Sequence, residues 1–200
     1  MKILQIMPTV SFGDAVSNDA RAISRLLTDK GYKNAIYAEN IDPRIKDPFV
    51  KSISKLPSIK NEDIIIFNHS TGTKLCYELP KLAGRKMMIY HNITPPHYFS
   101  SYNQISAELT KSGYDGTRFL ADKIDYIMGI SSYNVSDLRE MGYTCPSCVR
   151  PILIPFEDYK KTPDKDVLAK YSDDGYVNIV FVGRIVPNKK QEDLIESFAY

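Results

Sequence analysis

Short, mostly apolar runs rich in Ile, Val and Met recur along this chain at residues 3–7, 33–38, 64–67, 87–90, 124–130 and 149–154. Runs this short suit strands buried on both faces, because a globular helix is longer and a half-exposed strand alternates polar with apolar. Amphipathic segments lie between some of them. Over residues 15–30, Val16, Ala20, Ile23 and Leu27 follow one another at steps of four, three and four, with Asp14 placed to cap the start and Gly31 to end it. Ser131 heads a similar segment in which Val135 and Leu138 share a face and Gly142 marks the end. Buried strands with helices between them make a parallel sheet covered on both sides, so the expected fold class is α/β, a Rossmann-like doubly wound parallel sheet. Pro8 is expected to halt the first strand.

The texture changes near residue 155. Residues 1–155 read as one domain and residues 156–176 as a linker with a short helical candidate at 167–171. Residues 177–183 then read as a fresh buried strand, and residues 191–200 as a helix with Leu194, Ile195 and Phe198 on one side. A lone strand and helix cannot bury both faces. Residues 177–200 are therefore expected to open a second α/β domain whose remainder lies beyond residue 200 or on another chain.

The 26 basic and 24 acidic residues leave a net charge of +2, which argues against a nucleic-acid partner. No apolar run reaches the roughly 18 residues of a spanning helix, and the N-terminus enters a strand without the pattern of a secretory signal. Three cysteines, an odd number, suit a reducing cytoplasm. Cys145 and Cys148 form a lone C-x-x-C between a helix and a strand, the reverse of the thioredoxin order, so redox or metal chemistry is the minor reading there. Arg44, Lys46, Lys51, Lys55 and Lys60 make residues 44–60 basic. A solvated loop accounts for that better than peripheral contact with anionic lipid at the inner face of a membrane.

Ligands of such sheets bind beyond the carboxyl ends of the strands. Four segments belong on that edge. Residues 8–18 carry Gly13 and a helix start, which together can receive a diphosphate, although G-x-G-x-x-G is absent. Residues 69–72, with His69, fit either a polar turn or a pocket wall. Residues 90–99 pack His91, Asn92, Thr94, Pro95, Pro96 and His97 into one short loop, where a histidine can bond a sugar hydroxyl or serve in acid–base work. Residues 182–190 place Arg184 just after a strand and Lys189 five residues on, a bidentate and a point cation able to neutralise a diphosphate; a solvated basic loop would look the same.

Residues 181–198, FVGRIVPNKKQEDLIESF, closely resemble the opening of the C-terminal domain of family-four retaining glycosyltransferases of the GT-B fold: a strand, Gly-Arg, four variable positions, a lysine, usually a glycine, then a helix. Residues 90–95, YHNITP, resemble that family's acceptor-side histidine loop. Gly13 matches its first-strand loop, and residues 129–132 match its fifth-strand turn. Lys190 stands where the family usually has glycine. The resemblance implies transfer of a sugar from a nucleotide-diphosphate sugar to a carbohydrate or lipid-linked acceptor hydroxyl, with retention and with neither metal nor other cofactor. It implies that Arg184 and Lys189 hold the donor diphosphate with Gly13 facing it, that His91 serves at the reacting sugar, and that Asn92, Thr94 and His69 line the acceptor side. It also implies that a chain ending at residue 200, short of the family's acidic E-x7-E motif, transfers little sugar. A non-catalytic nucleotide- or sugar-binding module, or a nucleotide-sugar epimerase of the same fold, remains the alternative.

Overall fold

The computed structural model describes residues 1–154, 156–172 and 175–199. The chain divides into two compact units, Met1–Leu153 and Ile154–Tyr200. In the first, β1 (Ile3–Val10), α1 (Ala15–Asp29), β2 (Asn34–Ile41), β3 (Val50–Ser52), β4 (Ile64–His69), α2 (Leu75–Glu78), β5 (Arg85–Tyr90), α3 (Gln104–Phe119), β6 (Tyr126–Gly129), α4 (Ser132–Glu140) and β7 (Ser147–Val149) follow in order. The seven strands form one sheet in the order β3-β2-β1-β4-β5-β6-β7, and every neighbouring pair is parallel. The unit is thus a Rossmann-like α/β fold. Its topological switch point lies between β1 and β4, where ligand crevices form.

Side-chain alternation assigns the two faces. Ile3, Ile66, Ile89 and Met128 point one way and pack with Ile23 of α1, alongside Met7, Val10, Ile36 and Ala38 with Ala20. Ile6, Ile65, Phe67, Met88, Tyr90 and Ile127 point the other way and pack with Leu75, Leu120 and Leu138. Helix α1 therefore covers one face, and α2 and α4 the other. Helix α3 joins the second layer by close approach: a Cβ on Gly113 would lie 2.9 Å from Ile93 Cδ1 and 3.0 Å from the Gly72 nitrogen, and one on Gly116 would lie 2.8 Å from Cys76 Sγ.

Both expected helix caps are present. Asp14 accepts from the Ser17 N–H and Ser131 from the Asn134 N–H, while Gly31 and Gly142 take positive φ beyond the helix ends. Several expectations are corrected. β1 runs through Pro8 to Val10: its pairing with β4 stops at Ile6↔Phe67, so Pro8 lies where the strand is paired on one side only and its missing N–H costs little. The last strand of the unit is Ser147–Val149 rather than 149–154, in register with Ile127–Gly129. Pro151, which has no N–H to give, lies just beyond it.

In the second unit, α5 (Lys165–Tyr171) and α6 (Gln191–Phe198) are helical. Residues 177–183 belong to no strand; Val177 and Val182 are exposed and no strand partner exists among the described residues. A single extended segment has no ladder to close.

Candidate functional site

The carboxyl ends of β1, β4 and β5 bring residues 11–14, Asn68, His69, His91 and Asn92 to one edge of the sheet. In the loop after β1, Gly13 has φ +74° and is exposed. Ser17 Oγ accepts from the Ser11 N–H at 2.9 Å and donates to Asp14 Oδ2 at 2.7 Å, which ties the loop to the helix start. Among the described residues, the N–H groups of residues 13–16 have no hydrogen-bond partner. They form a row of donors at a positive helix end, partly offset by the Asp14 carboxylate.

Beneath α1 runs a buried polar chain that can be oriented atom by atom. Gln5 Nε2 donates to the Ala20 carbonyl at 2.8 Å and to Ser24 Oγ at 2.9 Å. A carbonyl only accepts, so the Gln5 amide is fixed and its Oε1 receives Asn68 Nδ2 at 3.0 Å. Asn68 Oδ1 is then the acceptor facing His91 Nε2 at 3.4 Å. His91 is therefore the Nε2–H tautomer, and its Nδ1 carries a lone pair. That Nδ1 is buried and has no protein partner. Burial holds the His91 pKa down to about 4, with Arg150 lowering it and Asp19 and Asp14 opposing. At neutral pH the site holds an uncharged imidazole whose Nδ1 lone pair is buried.

Asp19 and Arg150 were not legible as site residues. Asp19 is fully buried, forms an ion pair with the Arg150 guanidinium and accepts from the Leu153 N–H at 2.8 Å. It thereby fastens the chain leaving β7 to the middle of α1. Arg150 Nε is a buried donor without a hydrogen-bond partner. A signal did exist: Asp19 lies on the Val16–Ala20–Ile23 stripe, where an acid demands a partner.

Other expected residues fall differently. His69 is fully buried on the opposite face, its Nε2 2.8 Å from Thr117 Oγ1, and burial lowers its pKa to about 4. Thr117 Oγ1 donates to the Gly113 carbonyl, so His69 Nε2 is the donor and the ring is a core group in this structure. Asn92 is exposed with φ +67°, a conformation asparagine tolerates better than most residues. Thr94 is half-buried. The loop is pinned at Ile93, whose N–H donates to Tyr90 Oη at 3.3 Å and whose carbonyl accepts from Tyr114 Oη at 3.2 Å.

Cys145 packs against the Leu138–Tyr143 side of the sheet and Cys148 against the Ile3–Met128 side, which separates the C-x-x-C pair. Among the described residues no three His, Cys, Asp or Glu side chains gather as a metal site, and no helix is long and apolar enough to cross a membrane. In the 44–60 segment Arg44 is matched by Asp42 at 2.6 Å, whereas the segment's own acid, Asp47, is taken by Arg21 at 3.0 Å.

In the second unit, Arg184 and Lys189 are exposed and without an ion-pair partner among the described residues. Lys189 closes a 3-10 turn, Pro187–Lys189, and Gln191 Nε2 donates to the Arg184 carbonyl at 2.7 Å, folding the loop onto the start of α6. Lys190 takes φ +51° and ψ +49°, the left-handed conformation that glycine favours. Replacing it should relieve strain: Lys190→Gly is expected to stabilise the second unit by about 1 kcal/mol, read by hydrogen exchange of the α6 amides. No family model matches this chain, and no curated protein matches its sequence.

Proposed function

We propose that this chain carries the acceptor-side domain and the opening of the donor-side domain of a retaining glycosyltransferase, which moves a sugar from a nucleotide-diphosphate sugar to an acceptor hydroxyl of a carbohydrate or lipid-linked substrate. The observation that carries the reading is His91: a neutral imidazole at the carboxyl edge of β5, beside the switch point, oriented so that its free Nδ1 accepts. An acceptor of that kind suits a sugar hydroxyl. Being uncharged, it does not oppose the positive charge that develops on the sugar ring as the donor bond breaks. Departure of the diphosphate needs fixed cations, and Arg184 with Lys189 supplies one bidentate and one point charge. The left-handed Lys190 supports the likeness of residues 181–198, because it gives that position the backbone shape of the glycine usual there.

The test is release of nucleoside diphosphate from a panel of nucleotide sugars by the intact gene product carrying this sequence, with the product anomer read by NMR. Arg184→Ala and Lys189→Ala are each expected to lower kcat/KM about a hundredfold. A nucleotide sugar altered without any acceptor would identify an epimerase. Saturable binding with no turnover would identify a binding module.

A further inference from the structure

A cavity of about 340 Å3 lies against β1 on the face away from α1, and its lining separates into two kinds. Ile6, Ile53, Leu56, Leu75, Leu79 and Leu82 make an aliphatic floor and walls; Glu39, Lys74 and Glu78 are charged and exposed, which places them at the mouth. Its origin is local. Helix α2 has a single turn, prolonged only by a 3-10 turn containing Pro80, so the layer over β1 and β2 is too short to fill the space. Protein interiors hold few voids larger than a water molecule, whereas this volume lies within the range of small-molecule sites.

The mouth selects the head group. Glu78 is already matched, because Lys81 Nζ donates to both its oxygens at 2.9 Å. Glu39 Oε2 accepts from Thr73 Oγ1 at 2.7 Å, leaving the other carboxylate oxygen to accept from a ligand. Lys74 has no ion-pair partner among the described residues. A carboxylate head would face Glu39 and an ammonium head would face Lys74. A hydroxyl satisfies both, donating to Glu39 and accepting from Lys74. We propose that this cavity binds a neutral amphiphile, an aliphatic body bearing a hydroxyl head. The site does not rest on the transferase reading and stands even if no nucleotide sugar is turned over.

The experiment labels the Ile and Leu methyl groups of the chain with 13C and titrates 1-octanol, with octanoate and octylamine as charged counterparts. The proposal expects saturable shifts centred on the six lining residues, an affinity for octanol about tenfold above either charged analogue, and a loss of about fivefold in Glu39→Gln. Leu82→Trp should fill the cavity and abolish the response; if that variant does not fold, Ile53→Trp serves. Shifts scattered over the surface, no saturation, equal affinity for all three probes, or binding that survives in a folded filled variant would overturn it. These outcomes are independent of nucleoside-diphosphate release.

Discussion

Stability is expected to fall by about 5 kcal/mol as the pH drops from 6.5 to 4, because two histidines are folded in neutral. Burial holds His69 and His91 each near a pKa of about 4, against an ordinary 6.5. Well above pH 6.5 both rings are neutral in the folded and unfolded chains alike, and nothing is lost. Between 6.5 and 4 the unfolded chain takes up protons that the folded chain refuses, so each step down in pH favours unfolding. A displacement of this size is worth about 3 kcal/mol per ring, and the two together rival a small domain's total stability. Urea unfolding at intervals between pH 7 and 4 measures it. His69→Gln and His91→Asn should each flatten the dependence by about half; a stability level from pH 6.5 to 4.5 in the parent would show that the rings are not buried as described.

Asp19→Ala is expected to cost about 3–5 kcal/mol, the largest effect of any single substitution near the site. The variant leaves the Arg150 guanidinium without its counter-ion and the Leu153 N–H without its acceptor. Asp19→Asn keeps the volume and a carbonyl for Leu153 and should lose less. The diagnostic variant is the pair Asp19→Ala with Arg150→Met. Once both charges are gone no ion is left uncompensated, so the double variant should be more stable than Asp19→Ala alone. Equal destabilisation of the single and double variants, or a cost below 1 kcal/mol for Asp19→Ala, would mean the pair is solvated. Hydrogen exchange at Leu153 should rise in the single variant, since Asp19 holds that amide.

The features legible beforehand are those written in local chemistry. Asp14, Ser131, Gly31 and Gly142 mark helix ends by cap and turn rules that need no tertiary information, and the apolar runs announce the parallel sheet. Helix α3 escaped because its buried positions are Ala107, Gly113, Gly116 and Thr117, small residues chosen for close approach, while Ile105 and Leu109 are exposed. Hydrophobic periodicity registers large side chains and passes over such a face. β3 is three residues long, half-exposed, and held by its pairing with β2. At the site, His91 was evident from its loop, whereas the Gln5–Asn68 chain that fixes its tautomer joins β1 to β4 across 63 residues and follows only from strand order. His69, by its place after a strand, fits a polar turn or a pocket wall. Side-chain alternation sends it to the other face, beneath α3.

Loss of turnover in His91→Ala tests the central claim most directly. On the proposed reading, His91→Ala should keep the parent's fold at pH 7 and lower kcat on a nucleotide sugar by about a hundredfold, with less change in donor KM, because the proposal has Nδ1 serve the sugar as it reacts rather than the diphosphate. Turnover in His91→Ala equal to that of the parent, or no cleavage of any nucleotide sugar by the parent, would contradict the account.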